Sequence, residues 1–218
     1  MFLVKIVLIL LGCYLIGSIP FSYIFTKMET GKDIRQLYSG NAGATNASRV
    51  LGRWYGMVIG VLDFCKGLAA VFLAGFIMQH SYIPIGEEYA FGSRAVQSLA
   101  GLAAIAGHLY PIFIGFRGGK GVATFFGALT ALVPLAGMVG GEVFLIIFLL
   151  YSYVSLGSIV AVASTYIVLV PMIVFYGFPW EYIVFTLIGT VIIAYKHREN
   201  IKRLLSGNER SSRRKSNT

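Results

Sequence analysis

The chain has 218 residues, of which 57% are hydrophobic and 12% charged, with a mean hydropathy of +0.77. That leaves too little polar surface to cover a water-soluble globule, so the chain belongs in lipid. A net charge of +9 would suggest nucleic acid in a soluble protein, but here the charges flank apolar segments, where membrane topology accounts for them and nucleic-acid binding is set aside.

A spanning helix takes about 20 apolar residues. Apolar stretches run over residues 2–25, 54–79, 95–114, 122–140, 143–157, 159–177 and 181–195. The composition therefore predicts an all-α polytopic bundle of about seven transmembrane helices with no room for a separate soluble domain. No charged loop separates the fifth stretch from the sixth, and fusing them into one kinked helix would lower the count to six. The first stretch follows Lys5 as a signal peptide would, but no A-x-A pattern closes it and Gly17-Ser18-Ile19-Pro20 follows, so it reads as an uncleaved span. Cys13 and Cys65 fall within apolar stretches and imply neither a disulfide nor a metal site.

Orientation follows from the bases. Lys27, Lys32, Arg35, Arg49 and Arg53 lie after the first stretch, Arg117 and Lys120 after the third, and eight more lie beyond the last, making fifteen of the 18 Lys and Arg. The opposite loops hold Arg94, with Glu87, Glu88, Glu142 and Glu181 nearby. This asymmetry places the N-terminus outside and the C-terminus in the cytoplasm; Lys5 alone argues weakly the other way. Residues 1–205 read as a single membrane domain. Residues 206–218, with Arg210, Arg213, Arg214 and Lys215, read as a disordered basic tail drawn to anionic lipid.

Three inward segments carry chemistry. The run Ser39-Gly40-Asn41-Ala42-Gly43-Ala44-Thr45-Asn46-Ala47-Ser48-Arg49 gathers amides, hydroxyls and a cation before a helix, a setting that favours anions. Gly118-Gly119-Lys120-Gly121 lets backbone approach a ligand beside a point charge suited to phosphate. It is not a Walker A loop, because Ile114 replaces the first glycine and Gly121 the magnesium-binding hydroxyl. In His197-Arg198-Glu199-Asn200, His197 and Asn200 share a helix face, as do Arg198 and Lys202. The plainer readings are a flexible loop, a basic tight turn and an interfacial basic helix. Deeper in the chain, Asp63 and Lys66 are spaced to pair with each other or face the bundle interior. His108 reads as a packing histidine near Pro111. Ser155 and Ser158 either line a cavity or pack helices closely.

Together with Gly17 to Phe21, Leu62 to Gly67, Gly107-His108 and Pro111 to Phe113, these segments resemble, over nearly the whole chain and in the same order, the bacterial acyl-phosphate-dependent glycerol-3-phosphate acyltransferases, the PlsY family. The resemblance implies transfer of an acyl group from acyl phosphate to the 1-hydroxyl of glycerol 3-phosphate, giving lysophosphatidic acid and phosphate, with membrane lipid as surroundings and no metal or other cofactor. It implies catalytic roles for Ser39, Arg49, Lys120, His197 and Asn200. Substrate binding falls to Asn41, Gly43, Thr45, Asn46, Gly118, Gly119, Gly121, Arg198 and, less securely, Ser158, and a structural role to Glu209. The alternative is an anion or phosphate transporter, which would use the same basic glycine loops but needs attraction for anions on both faces and often repeated halves.

Overall fold

A computed structural model describes residues 2–79, 83–85 and 89–212. Part of the expected outer loop, with Glu87 and Glu88, and the tail bases Arg213, Arg214 and Lys215 lie outside the described residues. The elements run in the order α1 (Phe2–Ser18), α2 (Phe21–Thr30), α3 (Ala44–Leu51), α4 (Arg53–Met78), a hairpin of β1 (Ile83–Ile85) and β2 (Tyr89–Phe91), α5 (Ser93–Leu109), α6 (Val122–Leu132), α7 (Pro134–Tyr151), α8 (Val154–Tyr176), α9 (Glu181–Lys196) and α10 (Arg198–Leu205). Among the described residues, five segments are long and apolar enough to cross a membrane: 2–30, 53–78, 93–114, 134–151 and 154–176. Helix α6, with 11 residues, rises about 16 Å, roughly half of a hydrocarbon core.

The expected boundaries are corrected at three places. The first stretch does not end near residue 25. It breaks after Ser18, where Pro20 supplies no N–H, and resumes as α2 to Thr30. The fourth stretch divides at Val133, not near Gly141, because Pro134 takes the first position of α7, where its missing N–H costs nothing. The fifth and sixth meet at Ser152, which caps α7 in the left-handed conformation with φ 60°. Two helices of 18 and 23 residues therefore stand where a single kinked one was the rival reading.

Small residues let the helices approach. A Cβ on Gly17 or Gly107 would fall on the backbone of the facing helix where α1 crosses α5, and the same holds for Gly67 and Gly127 where α4 crosses α6. Gly137 lies against Thr130 and Gly140 against Phe126, the pairing of an antiparallel α6–α7 hairpin. The main core gathers α4, α5, α6, α8 and α9 around Phe125, which stacks on Phe185 at 5.5 Å between centroids. A smaller cluster of Ile34, Ala42, Ala47, Ile59 and Ile114 lies beneath the segment between α2 and α3. Large apolar side chains such as Phe76, Ile167, Phe175 and Val191 face outward, an inversion that suits lipid and would make a soluble protein aggregate.

Candidate active site

The breaks that interrupt the helices bring the three predicted segments to one end of the bundle. In the first, Asn46 is fully used in shaping the loop. Its Oδ1 accepts the Ser39 N–H at 3.2 Å, and its Nδ2 donates to the carbonyls of Ile34 and Leu37 at 3.2 and 3.0 Å. At 1% exposure, it holds backbone rather than presenting an amide to a substrate, which corrects the sequence expectation. Ser39 is exposed, whereas Asn41, Gly43, Thr45 and Arg49 are half-buried. Arg35 ties the same loop to the next segment: it pairs with Asp33 at 2.6 Å and donates to the carbonyl of Ile114.

The glycine segment is stitched to the last turn of α5. Gly118 N–H donates to the Leu109 carbonyl and Gly119 N–H to the His108 carbonyl, both at 3.1 Å. Those two N–H groups are thus bonded within the protein. What the glycines provide is closeness. A Cβ on Gly118 would strike the His108 carbonyl, and one on Gly119 would strike the His108 ring while lying 3.0 Å from the Ala42 carbonyl. Gly121 adopts φ +83° to turn the chain into α6, a conformation that penalises any side chain. The first and second segments therefore touch at Ala42, Gly43 and Gly119.

The second and third segments join through Lys120, whose Nζ donates to Asn200 Oδ1. Asn200 Nδ2 donates to Glu209 Oε1 at 2.7 Å, Ser155 Oγ donates to the same oxygen at 2.9 Å, and Arg203 Nε donates to Glu209 Oε2 at 2.9 Å. The chain is thus held at Glu209, and Ser212 N–H bonds the Ser152 carbonyl at 2.8 Å. A tail unfolded from Ser206 is corrected to one that stays docked to Ser212. Arg203 and Ser155 are the members that sequence reasoning did not assign to the site; the spacing of Asn200 and Arg203, three apart on α10, was the available signal. Ser158, one turn along α8, returns its hydroxyl to the Val154 carbonyl at 2.8 Å. Arg198 is exposed, stacks over Tyr195 at 4.5 Å and donates to the Tyr195 carbonyl, so it is turned away from Lys120 and Asn200.

Charge in this cluster is unbalanced. Arg49 and Lys120 each lie in the field of Arg203 and Glu209, and Arg49 also in that of Arg210. Burial pushes the Lys120 ammonium down to about 8, with Glu209 opposing and Arg203 and Arg49 adding to the shift. Burial, followed by the charge of Lys120, pushes His197 down to about 4, so its ring is neutral at pH 7. Its Nδ1 lies 2.9 Å from the Ile193 carbonyl. A carbonyl only accepts, so Nδ1 carries the proton and Nε2 keeps its lone pair. Desolvation raises the Glu209 carboxyl, but hydrogen bonds from Asn200, Ser155 and Arg203 outweigh it and hold the group below its ordinary value.

The profile of a family described as glycerol-3-phosphate acyltransferase matches residues 7–207. The chain is 44% identical to "Glycerol-3-phosphate acyltransferase 3" of Dehalococcoides mccartyi over 99% of this chain and all of that one. It is 42% identical to the glycerol-3-phosphate acyltransferase of Halalkalibacterium halodurans over 97% of each. Among solved structures it resembles PlsY (YgiH), an integral membrane glycerol 3-phosphate acyltransferase, in its glycerol 3-phosphate form, with a TM-score of 0.81 and 38% identity over 94% of both chains. The lysophosphatidic acid form gives a TM-score of 0.78. An integral membrane fold, three motifs meeting at one cationic end and full-length likeness agree: the chain belongs to the glycerol-3-phosphate acyltransferase family.

Proposed function

We propose that the protein moves a fatty acyl group from acyl phosphate to the 1-hydroxyl of sn-glycerol 3-phosphate, giving lysophosphatidic acid and inorganic phosphate for phospholipid synthesis. In this reading residues 1–205, with Glu209 and Arg210 folded back onto them, form one catalytic domain in the bacterial inner membrane. Helices α6 and α9 complete seven crossings, with the N-terminus outside and the site at the cytoplasmic face, as the distribution of bases supports. The observation that carries the proposal is the contact of Lys120 with Asn200 inside a cluster where Arg49, Arg203 and Arg210 outnumber Glu209. Two phosphate-bearing substrates require such an excess, whereas paired carboxylates would repel both.

The donor is a mixed anhydride whose leaving group is phosphate, so alignment and charge stabilisation supply most of the acceleration. The 1-hydroxyl oxygen attacks the acyl carbonyl carbon, a C–O bond forms, and the bond from that carbon to the phosphate oxygen breaks. Lys120 and Arg49 stabilise charge on the phosphoryl and carbonyl oxygens, with Ser39, Asn41 and Thr45 completing the rim. His197, neutral with its Nε2 lone pair available, and Asn200 orient glycerol 3-phosphate. Because Nε2 of His197 takes up a proton only below about pH 4, it is a weak base at neutral pH. The hydroxyl proton therefore passes to an oxygen of the departing phosphate.

The test uses purified protein in detergent with acyl phosphate and labelled glycerol 3-phosphate. Labelled lysophosphatidic acid is expected from the parent, and its loss from Lys120→Ala and His197→Ala. If the parent forms none, and reconstituted vesicles instead accumulate labelled phosphate, the transporter reading replaces this one. Acyl label trapped on Ser39 with donor alone would overturn direct attack.

A further inference from the structure

Beneath the glycine segment lies a sealed ionic cluster that the transfer itself does not use. Lys66 Nζ is 2.9 Å from Asp63 Oδ1, and His108 Nδ1 is 3.5 Å from the same oxygen; the three residues are 3–7% exposed. Lys66 also donates to the Ile19 carbonyl at 3.2 Å, which takes the Phe21 N–H as well, in the turn where Pro20 breaks the first span. On its other side, the His108 ring is the surface on which Gly119 rests, and the His108 carbonyl accepts the Gly119 N–H. A chain of contacts thus runs from Ile19 through Lys66, Asp63 and His108 to Gly119, and the next residue is Lys120.

We infer that Asp63, Lys66 and His108 are positioning residues for Lys120: they fix the end of α5 against the break in the first span, and so set where the glycine segment holds the ammonium group. Gly119 lies against the His108 ring. The histidine's role is exercised through the loop. The inference rests on the acyl-transfer reading, because kcat/KM for glycerol 3-phosphate reports the placement.

The experiment separates placement from stability. In Asp63→Leu/Lys66→Met both charges leave together, so no buried ion is stranded and the protein is expected to keep its Tm in detergent within a few degrees, as apolar replacements of buried pairs often do. It is nevertheless expected to lose kcat/KM by about 10²-fold, the order associated with a misplacement of about 1 Å. Adding Gly119→Ala, which lifts the same loop, is expected to cause little further loss, a non-additivity that a purely structural pair would not show. A folded double variant with the parent's kcat/KM overturns the inference. Should that variant not fold, His108→Asn decides: it keeps an amide near the Nδ1 position and removes the ring edge under Gly119. Loss of kcat/KM in it supports the inference, and the parent's value overturns it. A parent that makes no lysophosphatidic acid instead overturns the acyl-transfer reading.

Discussion

Two lysines of this chain sit in contrasting surroundings about one helix end apart in the fold. Lys66 is sealed among Asp63, the Ile19 carbonyl and His108, with one cation to one carboxylate. Lys120 is half-buried, bonds a neutral amide, and shares one carboxylate, Glu209, with Arg49 and Arg203. The first arrangement is complete without any ligand. The second leaves positive charge uncompensated at an open end of the bundle, which is the condition for attracting anionic substrates. Depth alone does not decide function. The balance of charge around each ion does.

The sharpest way to break this contrast is to remove each ammonium group in turn. Lys120→Ala is expected to lower kcat/KM for glycerol 3-phosphate by about 10³-fold, the upper order for deleting one preorganised charge from a transition state. Its thermal stability should change little, since Glu209 still holds Asn200, Ser155 and Arg203. Lys66→Ala is expected to lower stability as well as kcat/KM. It strands Asp63 in the bundle at a cost of about 3–5 kcal/mol, read as a lowered Tm in detergent. Equal losses of Tm from both substitutions would remove the distinction.

A smaller effect comes from the carboxylate at the open end. Glu209→Ala removes the acceptor for three donors, so Asn200 and Arg203 lose their fixed positions while the cations remain. A fall in kcat/KM of about 10–10²-fold is expected, below that of Lys120→Ala, because general positioning and not a phosphate contact is lost. Glu209→Gln keeps the acceptor oxygen for Asn200 and Ser155 and should retain more activity. If Glu209→Gln were as damaged as Glu209→Ala, the charge of Glu209 and not its geometry would be what matters.

Membrane class and the three segments that meet at one end of the bundle were legible because lipid imposes a length that composition records directly. The pairing of Asp63 with Lys66 was legible too, since spacing and the cost of a lone charge in lipid leave few alternatives. Helix ends were not. The break at Pro134 falls inside an unbroken apolar run, where hydropathy is blind and the position of the proline was the sole signal. Within the site, residue type alone did not show that the Asn46 side chain and the N–H groups of Gly118 and Gly119 bond neighbouring loops. A sequence gives the inventory of donors without saying which are already engaged. Ser155 was missed for the converse reason: its place in the site depends on Glu209 folding back across the start of α8, a long-range return that no local period encodes, whereas Arg203 shares a helix face with Asn200.

The mildest prediction is titration of the same contrast. Lys120 is held at about 8 in the free protein, mainly by burial, so its charge is present below that pH and lost above it. Since the charge attracts phosphate, kcat/KM should be level through pH 7 and fall above about pH 8, reaching roughly a tenfold loss one unit higher, because kcat/KM reports groups of the free enzyme. A bound phosphate stabilises the ammonium form and raises its pKa, so the corresponding fall in kcat should lie at higher pH. His197, held at about 4, should contribute no limb between pH 5 and 7. A kcat/KM flat to pH 10 would mean that the ammonium of Lys120 is not what recognises phosphate, and the unbalanced charge at the open end would then have to act through the arginines, which keep their protons throughout that range.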